Sequence, residues 1–70
     1  MMYDKQNYIG KSIQLYPGDT VKKYGEIINV DDLGWTIKIT HINSYNYTTY
    51  TVGDVIFISH SHSFTYKILQ

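Results

Sequence analysis

The residues most open to chemistry are the three imidazoles, His41, His60 and His62. His60 and His62 stand at i and i+2. In a strand that spacing points both rings the same way, and a third ligand would complete a metal site. The flanking serines of the run from Ser59 to Ser63 argue instead for a polar loop with exposed rings, so no metal is expected there. Serine, histidine and aspartate all occur, yet the strand-turn-helix setting that strains a nucleophilic serine is missing. Asp31 and Asp32 are adjacent carboxylates, but they fall in a segment with turn chemistry, where they form the turn and face water. The five glycines are scattered and build no phosphate-cradling loop. The expectation is therefore no catalytic residue, no cofactor and no enzyme.

The tyrosines point elsewhere. There are eight, more than a small core uses. Tyrosine offers a large apolar ring and a polar tip at low entropic cost, which suits contact surfaces. Tyr45, Asn46 and Tyr47 lie together beside Asn43 and Ser44, a mixture typical of adaptable binding loops. Asn43, Tyr45, Asn46 and Tyr47 are thus the expected partner-binding residues. The competing reading packs these rings over the ends of a thin core. A third use of the surface is single-stranded nucleic acid, with Lys22, Lys23 and Lys38 beside stacking aromatics. Zero net charge and the absence of arginine weigh against it.

The elements that must carry these residues are strands. Ile, Val and Thr supply 21 of the 70 residues and the aromatics another 11, while alanine is absent. Such side chains suit a pleated, half-buried surface. No apolar stripe at helical spacing runs for three turns. Residues 1–10 read as a short arm with room for a single helical turn.

Turn signals cut the rest into hairpins. Asp31 to Gly34 forms a turn that sets Val30 opposite Trp35, Ile28 opposite Ile37 and Glu26 opposite Ile39. One face then carries Ile28, Val30, Trp35, Ile37 and Ile39, and the other Ile27, Asn29, Thr36, Lys38 and Thr40. A loop from Asn43 to Asn46 leads to a strand that pairs Tyr50 with Ile39 and Val52 with Ile37. Gly53-Asp54 suits a two-residue type II′ hairpin, which places Phe57 opposite Tyr50 and later opposite Tyr66. A kinked strand through Gly53-Asp54 is the other option. Pro17-Gly18 suits a type II turn after a strand at Ser12 to Tyr16.

In that register Ile56 and Ile58 fall on the reverse face, and Phe64 begins an open edge strand. Ile56, Ile58 and Phe64 are therefore the expected homo-oligomer contact. The chain is expected to be all-β: one domain over residues 1–70, a meander from residue 24 to 69, and five to six antiparallel strands rolled into a small barrel.

Pro17, Gly18, Asp19, Val21, Gly25, Ile27 and Ile28 form a pattern that resembles the opening of an SH3-like barrel of the KOW or Tudor kind. There a Gly-Asp turn leads into a strand, a glycine precedes an apolar strand, and a hairpin follows. The resemblance covers about a third of the chain, residues 17–39. It implies a small barrel. KOW domains use basic residues on RNA, and here only Lys22 and Lys23 are adjacent.

A chain of 70 residues without cysteine has a marginal core and no disulfide to support it. Its wealth of Ile, Tyr, Lys and Asn resembles the usage of small accessory proteins carried by bacteriophages. No apolar run is long enough to span a membrane and no secretory leader pattern occurs, so a cytoplasmic location is expected. Together these readings predict a non-catalytic protein-binding module that engages a host factor. The alternative is a structural or assembly subunit that pairs with itself.

Overall fold

The computed structural model describes residues 4–69. They are nearly all β. Five antiparallel strands form one sheet: β1 (Ser12–Leu15), β2 (Lys23–Val30), β3 (Gly34–Ile42), β4 (Val55–Ser59) and β5 (Tyr66–Ile68). Their order across the sheet is β4-β3-β2-β1-β5. A 3-10 helix at Asp4–Tyr8 takes the place of the expected helical turn. The part of the expected arm that covers residues 1–3 lies outside the described residues. After the helix, Gly10 donates its N–H to the Ile27 carbonyl (2.7 Å), and Ile27 returns one to Lys11 (3.0 Å). These bonds continue the β1–β2 pairing and lay the arm against β2.

The core is one face of this sheet. Ile13 and Leu15 of β1, Ile27 and Val30 of β2, Trp35, Ile37 and Ile39 of β3, and Ile58 of β4 are its buried residues. Each such aliphatic side chain contributes roughly 1.5–3 kcal/mol on burial. Trp35 sits at the centre of an aromatic plug. Tyr8 stacks on it, and His60, Phe64 and Tyr66 surround it at ring separations of 4.8–6.2 Å. The plug covers the side of the sheet that a meander alone would leave wet.

The 31–34 hairpin sits where the turn chemistry puts it. Asp31 Oδ1 accepts from the Leu33 and Gly34 amides (2.9 and 3.2 Å), and Val30 opposes Trp35. Two residues further the register departs from expectation. A β-bulge lies between Ile27 and Asn29, so Ile37 opposes Ile27, not Ile28, and Glu26 opposes Lys38. Ile27 is buried and Ile28 exposed, the reverse of the expected faces. One extra residue in a strand turns every side chain before it.

The strand expected at Tyr47 to Val52 does not form. The edge of β3 that it would occupy belongs to β4: Ile39 donates to the Asp54 carbonyl and accepts from Gly53 (2.8 Å each). Ile37 therefore opposes Ile56, and Trp35 opposes Ile58. Losing a strand reverses β4, so Ile56 and Ile58 face the core while Val55 and Phe57 face outward. Gly53 has φ 99°, but as the third residue of a turn from Thr51 to Asp54, not as the first position of a type II′ hairpin.

The final strand also finds a different neighbour. β5 pairs with β1, setting Ile13 opposite Ile68 and Leu15 opposite Tyr66, so Phe57 does not meet Tyr66. The Pro17-Gly18 turn forms, with Asp19 donating to the Tyr16 carbonyl at 2.9 Å. Its left-handed residue is Tyr16 (φ 48°), not Gly18, so it is not the expected type II turn.

Candidate functional site

β3 and β4 are joined by residues 43–54, a stretch without regular structure that carries Tyr45, Tyr47 and Tyr50. Its base continues the β2–β3 ladder. The Asn43 amide donates to the Lys22 carbonyl (3.1 Å), and the Lys22 amide donates to Asn43 Oδ1 (2.8 Å). Asn43 thus spends its side-chain oxygen on the loop base. Its far end is closed by Asp54, whose Oδ2 accepts from the Thr51 amide (3.0 Å) and whose own amide donates to the Thr51 carbonyl (2.9 Å).

The middle of the loop is held by a lysine. Lys23 is 0% exposed, the one buried charged side chain among the described residues. Its Nζ donates to Asp19 Oδ2 at 2.7 Å and to the Val21 carbonyl at 3.0 Å. The same ammonium lies 5.2 Å from the Tyr47 ring centroid and 5.7 Å from that of Tyr16. Cation–π attraction gains strength where water is excluded. Tyr47 in turn leans on Tyr50, centroids 6.1 Å apart. Burial pushes the Tyr50 hydroxyl above its ordinary pKa of 10.0. The neighbouring Tyr16 and Tyr47 groups and a hydrogen bond to Tyr16 push it the same way.

Local sequence explains the arrangement. Inward positions on β2 alternate as Lys23, Gly25 and Ile27, so Lys23 must point beneath the sheet. The turn at Tyr16 to Asp19 brings a carboxylate to meet it. Tyr16 keeps its unusual φ because its amide donates to Thr65 (2.9 Å) and its ring packs edge-on against Phe64.

With Tyr47 and Tyr50 turned inward, Tyr45 and Asn46 form the projecting tip. Tyr45 is wholly exposed. A cleft of about 430 Å³ lies beside it, lined by His41, Ile42, Asn43, Ser44 and Tyr45. A second cleft, about 310 Å³, is lined by Tyr16, Tyr50, Phe57, Ile58, Ser59 and His62.

The expected site residues therefore divide. Tyr45 and Asn46 are exposed at the tip, Asn43 supports its base, and Tyr47 is a half-buried anchor. Ile58 is in the core, Ile56 packs against it, and Phe64 belongs to the aromatic plug. Ile56, Ile58 and Phe64 thus pack towards the core and do not form the expected exposed face; the side chains that β4 exposes are Val55 and Phe57. Lys22, Lys23 and Lys38 share no surface. Lys23 is buried, whereas Lys38 is exposed on the opposite face of the sheet. His60 Nε2 donates to the Asp31 carbonyl at 2.7 Å, and no group of metal-ligating side chains occurs among the described residues.

Sequence reasoning passed over Lys23, Tyr16 and Asp19 as a unit. The signal was the period-2 relation of Lys23 to Ile27, hidden by the bulge.

No protein-family model matches this chain, and neither a curated protein nor a solved structure matches it.

Proposed function

We propose that this chain is a non-catalytic protein-binding module that presents Tyr45 and Asn46 to a protein partner. One observation carries the reading: a wholly exposed tyrosine stands on a loop whose two ends and middle are all fastened. A fastened loop loses little freedom on binding, so contacts at its tip translate into affinity. The cleft beside Tyr45 supplies the concave surface that an anchor side chain needs.

The sheet is read as a small SH3-like barrel. The return of β5 to β1 and the bulge in β2, which strengthens its twist, support that reading. Within it, the module acts as a phage accessory protein on a host factor in the host cytoplasm. No helix among the described residues is long and apolar enough to cross a membrane.

The test is capture of a host protein by the immobilised chain. The intact chain should retain a specific partner, and Tyr45→Ala should lose it with no change in thermal midpoint. Equal capture by both would remove the loop from the interface.

A further inference from the structure

The geometry points to β4 as a homotypic edge: we infer that two copies of this chain pair β4 against β4 about a two-fold axis at Phe57. The sheet has two edges, β4 and β5. β5 is three residues long and carries Lys67. β4 runs Val-Ile-Phe-Ile-Ser, with no charge, proline, glycine or bulge to discourage pairing.

The hydrogen-bond phase of β4 follows from its ends. Ile39 donates to Asp54, and His60 donates to Leu33 (3.0 Å). Between these bonded pairs the antiparallel ladder alternates. Ile56 and Ile58 direct their backbone groups at β3, while Val55, Phe57 and Ser59 direct theirs outward. Among the described residues, only the Ser59 carbonyl of this outward set meets another backbone group, the His62 amide. Carbonyl oxygens have two lone pairs, so Ser59 can accept again.

A second copy matches this edge. With Phe57 opposite Phe57 of the other copy, Val55 falls opposite Ser59, and every outward N–H finds a carbonyl. The two exposed phenyl rings become a directly opposed cross-strand pair on the outer face. Val55 and Phe57 are 59% and 57% exposed, and pairing covers both. The formal net charge is zero, so two copies do not repel. Two five-residue strands make a contact below about 1,200 Å², which predicts a weak dimer, roughly micromolar or weaker.

Sedimentation equilibrium of the full chain across about micromolar to millimolar concentration tests this. The expected result is reversible growth from the 8.2 kDa chain to twice that mass. Concentration-dependent amide shifts should centre on Val55, Phe57 and Ser59. Phe57→Pro removes an outward N–H without touching the bonds to β3, so it should keep the β spectrum and weaken association at least about tenfold. Val55→Lys should do the same with the backbone intact. Tyr45→Ala should leave the dimer unchanged, which keeps this inference separable from the loop reading. A strict monomer at all concentrations overturns it and leaves the edge to a foreign extended strand. A dimer indifferent to Phe57→Pro and Val55→Lys, or shifts confined to β5, also overturns it.

Discussion

At the scale of single residues, Lys23 is the most informative position in the chain. A buried ammonium loses several kcal/mol of hydration, and only good partners offset that loss. Here they are one carboxylate, one carbonyl and two tyrosine faces. The two members of the ion pair are not equivalent. Asp19 is 57% exposed and can rehydrate if its partner is lost, whereas Lys23 cannot. Asp19→Ala should therefore cost more than Lys23→Met, about 2 kcal/mol against 1 or less. Urea unfolding of both variants checks the order, and a larger loss for Lys23→Met would show that the cation is the stabilising partner. From the sequence this lysine looked like half of an exposed basic pair. Period-2 counting back from Trp35 gives the right face at Val30 and the wrong face from Ile28 to Lys23, because the bulge between them has no composition signature.

Among the elements, the hairpin from β2 to β3 was legible because its turn chemistry is local: Asp31 caps its own loop, and Gly34 follows. The segment from Tyr47 to Val52 was not. Its residues have strong strand propensity, but β3 has only two edges, and β2 and β4 already hold them. Whether a segment pairs depends on who else competes for the edge, which propensity does not record. β4 reversed for the same reason, and its exposed side chains are Val55 and Phe57 in place of Ile56 and Ile58. Gly34 fixes how closely β4 can approach. A Cβ there would meet the Ile58 carbonyl oxygen, the Phe57 ring (2.7 Å) and Ser59 Cα (2.9 Å). The ring could swing aside; the β4 backbone could not without opening the ladder. Gly34→Ala should cost about 1–3 kcal/mol and speed exchange of the Ile56 and Ile58 amides. Unchanged exchange at both would mean that β4 is held by its side chains and not by this approach.

For the whole molecule, the all-β class and single-sheet economy follow from composition, while the return of β5 to β1 joins residues too distant in sequence for local signals to announce. The contacts of Lys23 likewise tie together the β1–β2 turn, the 43–54 loop and the core. Tyr50 reports on that junction. Its folded pKa lies above the unfolded value of 10.0, chiefly through burial. The neutral phenol's contribution is thus complete below the unfolded pKa and is lost as pH rises through the folded one. Denaturant midpoints should hold steady near about pH 8 and fall towards about pH 11, and Tyr50→Phe should flatten part of that fall. An identical fall in the Phe variant would assign the loss to other groups.

The pairing of β1 with β5 also sets how the fold would bear a load. Leu69 donates to Ser12 at 3.0 Å, so the two ends of the sheet's outer pair lie side by side. Tension applied at those two points would not shear the strands past one another. It would peel them apart like a zip, stressing one backbone bond at a time and exposing Ile68, then Tyr66, and then the tryptophan beneath. Stretched between Ser12 and Leu69, the sheet should yield at low force and in sequence.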